Sequence, residues 1–430
     1  MSPIPNLRPG PGRGNTSFFL QPLKASRIPP PKKKDASPHT LLCRWLLRPF
    51  MGRIPTFYRR VPRNFVLELR GMSRKWLPTL TILFCMAMFA CRKAASLVQP
   101  ASTVDSASFD ADGTAHITRT VPMPSTISPE AQKWLGSLAS STPGPEDLAT
   151  RRIRTDQWRA RQSAEARRLF PVNIESTSIA GVRTDILTPL DTPVANRDLL
   201  LINLHGGGFN SDSGSLIEGD PICNLTKIKV VSVYYRLAPE NPFPAAVDDV
   251  VAVYQELLKT HQPTDIAIFG TSAGAILSTE VAVKLKQLKL PQPAALGLFS
   301  VLADYSRTPD SHQLFTLNGF PGALKPQDPN SLFGSDEYAR NTDRRDPVLS
   351  PIFADLQGLP PTLLVSSTRD LLLSDSALFH RALLHADVDA QLVVFEALPH
   401  AFWYHFEFPE TTEALHLMSR FFTDHVGRAK

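Results

Sequence analysis

An α/β fold, with a mostly parallel sheet covered by helices on both faces, is what the sequence predicts, on three observations. Short apolar runs recur at 199–204, 229–235, 266–269, 362–365 and 391–395, and they are continuous rather than alternating. Strands buried on both faces read this way, whereas half-exposed strands alternate. Helical patterns at 245–258, 273–288, 376–386 and 410–426 lie between or after those runs, and strand–helix alternation is how parallel neighbours are connected. Hydrophobic residues make up 43% of the 430 residues, enough to fill such a core.

Charge divides the chain in two. Residues 1–93 carry 18 Lys and Arg against 2 Asp and Glu, so the total of 46 against 40 leaves 28 against 38 in the rest, a net of −10. The basic character is therefore N-terminal, and an acidic folded part argues against tracking a nucleic-acid phosphate backbone. Residues 1–71 are rich in Pro, Arg and Lys without hydrophobic periodicity, and read as an untranslated or disordered extension. From Met72 the sequence Met72-Ser73-Arg74-Lys75-Trp76 precedes an apolar run to Phe89, the charged start and short hydrophobic stretch of a secretory signal over 72–91. Its end, Met88-Phe89-Ala90-Cys91, is similar to a bacterial lipobox, although Phe89 and Met88 depart from the usual residues. Lipidation of Cys91, simple cleavage nearby and an uncleaved anchor all stay open, and each implies an exported, periplasmic or envelope-associated protein. Of the four cysteines, Cys43 and Cys85 precede Cys91, and with Cys223 they form no disulfide framework.

Residues 92–120 read as a Ser-, Thr- and Asp-rich linker, and the folded domain is expected over 121–430. Within it, Ser128-Pro129-Glu130-Ala131 signals a helix start, and 145–170 is a charged helical run with Trp158, Leu169 and Phe170 as its apolar contacts. The segment 121–170 is a candidate helical cap over one end of the sheet. Alternating runs at 172–176 and 182–187 add two strands.

Two motifs carry chemistry. The run 266–269 leads into Gly270-Thr271-Ser272-Ala273-Gly274 and then an Ala-rich helix, the strand, sharp turn and helix of a nucleophile elbow. Ser272 would stand at a strained turn with its hydroxyl exposed, and the two glycines would let strand and helix pack closely. Directly after the run 199–204 comes His205-Gly206-Gly207-Gly208-Phe209, where successive N–H groups can approach a developing oxyanion. A plain chain-reversing turn is the alternative. A dinucleotide fingerprint is excluded, because Phe209-Asn210-Ser211 does not continue into G-x-G-x-x-G.

Together with Tyr235-Arg236-Leu237-Ala238-Pro239-Glu240, Pro242-Phe243-Pro244, Asp249, Asp346-Pro347, Ser350-Pro351 and Pro399-His400-Ala401-Phe402, these motifs resemble the hormone-sensitive lipase-like branch of the α/β-hydrolases, from about Val121 to Val426. The resemblance implies an α/β-hydrolase fold and a carboxylester hydrolase without cofactor or metal. Arg236, Glu240 and Asp249 read as a structural brace for loops beneath the site.

In that fold the order is Ser, acid, His, each at the C-terminal end of a strand. His400 follows the run 391–395, while His261, His312, His380, His385, His405, His416 and His425 lack that context. Three aspartates compete for the acid. Asp346 precedes the strand 362–365, Asp375 opens the helical run and reads as a helix-initiating carboxylate, and Asp370 follows the strand in a short loop. The expected set is Ser272, Asp370 and His400, with the oxyanion held by the N–H groups of Gly207, Gly208 and Ala273. Phe209, Phe402 and Trp403 either line the substrate pocket or are core. Short to medium acyl esters are the expected small-molecule substrates. A non-catalytic ligand-binding protein on this fold and a serine amidase or peptidase are the competing classes.

Overall fold

The computed structural model describes residues 105–138, 147–212, 214, 216–320 and 335–427. The expected extension 1–71, the export segment 72–91 with Cys91, and the first part of the linker lie outside the described residues. The later part of that linker is a hairpin instead, with β1 (Ser106–Phe109) paired antiparallel to β2 (Ala115–Thr118) across an Asp110-to-Gly113 turn. Its side chains are exposed throughout, so no core periodicity marks it.

Helices α1 (Pro129–Ser137) and α2 (Leu148–Leu169) follow, started by Ser128 and Asp147, whose side chains accept the N–H of Ala131 and Thr150. Such caps satisfy N–H groups that a first turn leaves unpaired. Next come β3 (Val172–Ile179), β4 (Val182–Pro189), β5 (Leu200–Leu204), α3 (Gly219–Thr226), β6 (Lys229–Val233), α4 (Ala245–Leu257), β7 (Ile266–Thr271) and α5 (Ala273–Gln287). The chain continues through β8 (Ala295–Phe299), two short helices α6 (Asp310–Leu314) and α7 (Ser335–Ala339), β9 (Thr362–Ser367), α8 (Leu373–His385), β10 (Ala390–Phe395) and α9 (Pro409–His425).

Eight strands form one sheet in the order β10-β9-β8-β7-β5-β6-β4-β3. β3 and β4 pair antiparallel, as do β4 and β6, and every other pair is parallel. The alternation of strand side chains then fills two cores. On β7, Ile266 and Ile268 join Val250, Tyr254, Leu277 and Phe379 from α4, α5 and α8 on one face. Ala267 and Phe269 turn to the other face, where Phe269 meets Phe422 of α9 with ring centroids 5.3 Å apart. Burial on both faces is why these strands read as unbroken apolar runs.

Two elements of this layout lack a clear sequence signal. β8 is short and contains Gly297 and Ala295, residues with little preference for strands. α3 begins Gly219-Asp220-Pro221, and its helix-breaking residues sit in the first turn, where a proline is tolerated. Within the expected cap segment, α1 is tied to α9, since Ser128 donates through both N and Oγ to Glu410 at 2.6 and 2.8 Å, and α2 runs along the segment that follows β5.

Candidate active site

Ser272 stands between β7 and α5 with φ 58° and ψ −121°, a conformation that a non-glycine residue adopts only when its surroundings hold it there. Its N–H donates to the Phe299 carbonyl of β8 at 2.8 Å. The glycines on either side permit the turn. A Cβ on Gly274 would lie 1.8 Å from the Leu204 carbonyl oxygen, and one on Gly270 would lie 2.4 Å from the same atom. The end of β5 thus presses against both, and no side chain fits.

The glycine loop leaves β5 at that point. His205 is buried and stacks on Tyr235 with ring centroids 4.3 Å apart, and its Nδ1 lies 2.8 Å from the Gly206 carbonyl. Burial lowers its pKa, so the ring is held neutral. The Tyr235 hydroxyl donates to the His205 carbonyl at 2.6 Å, and Ser211 donates to the Gly207 carbonyl through N and Oγ at 3.0 and 2.8 Å. These bonds fix the course of the loop through its His205, Gly206 and Gly207 carbonyls. Gly206 runs alongside the serine, because a Cβ there would be 3.5 Å from the Ser272 Cβ. Ala273 opens α5, and its N–H adds the partial positive charge of a helix start.

His400 follows β10 and Asp370 follows β9. The Asp370 Oδ1 lies 2.8 Å from His400 Nδ1 and accepts the Leu372 N–H at 2.9 Å. Its Oδ2 accepts the Ser300 hydroxyl in a short bond and the Ser366 hydroxyl at 3.1 Å. Burial alone would raise the Asp370 pKa, but His400 and these donors outweigh it and hold the carboxyl below its ordinary value. With Nδ1 turned to the carboxylate, Nε2 is the ring's basic nitrogen. Asp346 is engaged elsewhere, accepting the Val348 and Leu349 N–H groups at 2.8 and 3.2 Å. Asp375 does not cap its helix as expected; it is buried in the first turn of α8 and lies 2.7 Å from His312 Nε2.

An apolar pocket opens over the serine, lined by Gly208, Phe209, Ser272, Ala273, Ile276, Leu302, Tyr305 and Leu372. Of the three aromatic candidates for its wall, only Phe209 is among these residues. Phe402 and Trp403 are core: both are buried with Phe395 and Phe299, and the Trp403 indole N–H donates to Thr271 Oγ1 at 3.0 Å. Their place just beyond His400 makes them pocket candidates in sequence, but after the left-handed turn at Ala401 they lie buried in the core. Phe209 is fixed by Tyr338, stacked at 3.6 Å, whose hydroxyl donates to the buried Glu280 at 2.5 Å. Burial pushes the Glu280 pKa well above its ordinary value, opposed by the bond from Tyr338. Ser300, Ser366, Tyr338 and Glu280 carry no sequence signal beyond polar residues at strand ends or within helices. Arg236 and Asp249 do brace the next loop, with Nη2 to Oδ1 at 2.8 Å, and Glu240 takes Arg152 of α2 in a two-point ion pair at 2.7 Å.

Comparison with known proteins agrees with this architecture. A family profile described as the alpha/beta hydrolase fold matches residues 201–404. An esterase of Acinetobacter venetianus is 32% identical over 271 residues, covering 60% of this chain and 85% of that protein. An acetyl-hydrolase of Streptomyces hygroscopicus is 32% identical over 234 residues, covering 53% and 76%. Among solved structures, esterase E25 aligns with a TM-score of 0.64 at 33% identity, covering 72% of this chain and 98% of that one. The chain belongs to the α/β-hydrolase fold family. It is an enzyme of the carboxylic ester hydrolase class.

Proposed function

We propose that the protein is a serine carboxylesterase of the hormone-sensitive lipase-like branch, acting on short-acyl esters through Ser272, His400 and Asp370. The observation that carries this reading is the 2.8 Å His400–Asp370 contact beside a pocket lined by Ser272, Gly208 and Ala273. His400 Nε2 takes the Ser272 proton as Oγ attacks the ester carbonyl, and returns it to the departing alkoxide. Water then attacks the acyl-enzyme with the same base, releasing the acid and restoring the serine. Asp370, held ionised, orients the imidazole and stabilises its charged form, and the N–H groups of Gly207, Gly208 and Ala273 hold the oxyanion.

A preference for short acyl groups is supported by the walls. Ile276, Leu302 and Leu372 close in on the serine, and the Tyr338 stack leaves Phe209 no room to swing aside. A series of p-nitrophenyl esters from acetate to palmitate, run beside peptide anilides, tests both parts. The expected outcome is kcat/KM highest at acetate or butyrate, falling by about tenfold or more at the long chains, roughly what 1–3 kcal/mol of pocket discrimination gives. Faster turnover of anilides than of esters would identify an amidase, and a flat or rising series would remove the short-acyl assignment.

A further inference from the structure

The sequence suggests α2 as a lid, yet its inward face reaches the loop that carries the glycines. Arg152, Arg159 and Ser163 lie seven and four residues apart, the spacing that places side chains along one helix face. Arg152 donates to the Asn210 carbonyl at 2.7 Å and the Ala238 carbonyl at 2.8 Å while pairing with Glu240. Ser163 accepts the Leu216 N–H at 3.3 Å. Between them Arg159 is buried, an unusual place for an arginine.

Arg159 touches both halves of the site. Its Nε lies 3.2 Å from Asp212 Oδ2, four residues after Gly208, and Asp212 is itself held at φ 74°. A Cβ on Gly206 would be 3.5 Å from Arg159 Nη2, so the guanidinium lies against the glycine loop. On its other side it lies 4.3 Å over the ring of Tyr404, four residues after His400, and the Tyr404 hydroxyl donates to the buried Glu218. A buried cation between an acidic loop residue and an aromatic face is a point of attachment for both.

We propose that Arg159, supported by Arg152, is a positioning residue: it fixes the glycine loop relative to the histidine loop, so that α2 is part of the catalytic device. This rests on the esterase reading above. The planar guanidinium serves because one flat face meets Tyr404 while its edge meets Asp212, which the point charge of lysine reproduces only in part. A loop misplaced by about 1 Å costs about a hundredfold in rate, and loss of one oxyanion donor costs about 10²–10³-fold.

The test is the kinetics of Arg159→Met, Arg159→Lys and Arg152→Met on p-nitrophenyl acetate, with affinity for a trifluoromethyl ketone that forms a tetrahedral adduct and with Ser272→Ala as reference. The expected result is kcat lowered by about 10–100-fold for Arg159→Met with KM within about threefold, ketone affinity falling in parallel, and partial recovery in Arg159→Lys. Arg152→Met, at a partly exposed position, should show the same pattern at about 3–10-fold, and it alone decides the matter if Arg159→Met does not fold. Folded variants with unchanged kcat and ketone affinity would overturn the proposal. If Ser272→Ala also kept its activity, the esterase mechanism itself would fall; if it is inactive, only the role of α2 does.

Discussion

Two buried His–Asp pairs flank a single turn of this chain. Asp370 pairs with His400 at 2.8 Å, and Asp375, five residues on, pairs with His312 at 2.7 Å. Their local geometry is nearly the same, but their surroundings differ. Asp370 leaves a strand end and collects two serine hydroxyls and a backbone N–H, so its pKa falls despite burial. For Asp375 burial is the larger influence and outweighs the bond to His312, while Asp304 and Asp370 add repulsion, and its pKa rises. Moreover, His312 Nδ1 has no hydrogen-bond partner among the described residues. A His–Asp contact is therefore not in itself a catalytic signature. What separates the two pairs is the set of donors that holds the Asp370 carboxyl below its ordinary value, and its place at a strand end.

Exchanging each aspartate for asparagine separates the two pairs most sharply. Asp370→Asn is expected to lower kcat by about 10³–10⁴-fold, as loss of a triad carboxylate's charge does elsewhere, with a far smaller fall in melting temperature. Asp375→Asn should keep kcat within about threefold and lose about 1–3 kcal/mol of stability, the cost of weakening a buried hydrogen-bonded pair. Steady-state kinetics with denaturant melts reads both. An inactive Asp375→Asn beside an active Asp370→Asn would reverse the two roles.

A smaller effect sharpens the link between burial and charge. Asp220 in α3 is buried with neither carboxylate oxygen hydrogen-bonded among the described residues, and burial pushes its pKa up from 3.8 to about 7, with Arg167 3.8 Å away opposing the shift. The folded state then holds this proton more tightly than the unfolded chain, so its contribution to stability is full below about pH 4 and declines as pH rises toward 7. Asp220→Asn removes that slope, which amounts to about 1.4 kcal/mol per pH unit at most. Melts between pH 4 and 8 should show the variant gaining on the parent protein as pH rises. A difference that stays constant with pH would mean that Asp220 titrates normally.

How much of this is legible in the sequence depends on where each signal resides. Strands buried on both faces are legible because an unbroken apolar run of four to six residues between turn residues suits little else, and Gly270 and Gly274 because close backbone approach excludes every side chain. The positions of Asp370 and His400 follow from chain order after strands. What stays hidden is held by contacts between distant segments. Ser300, just after β8, reaches Asp370 across 70 positions of sequence, and Arg159 meets Asp212 and Tyr404 across 53 and 245, as their numbering shows. Phe402 and Trp403 are ambiguous for the opposite reason. Adjacent to His400 in sequence, they follow a residue with φ 55°, Ala401, and the left-handed turn there sends them into the core.

Ser272 as the nucleophile and His400 as its base are tested most directly by mass spectrometry of the protein after brief treatment with a p-nitrophenyl alkylphosphonate, which leaves a phosphonyl group on an activated serine. The expected result is one adduct per chain, on the tryptic peptide that contains Ser272, absent in Ser272→Ala and slowed by at least about a hundredfold in His400→Ala. An adduct on another serine, or unchanged labelling in Ser272→Ala, would contradict these assignments.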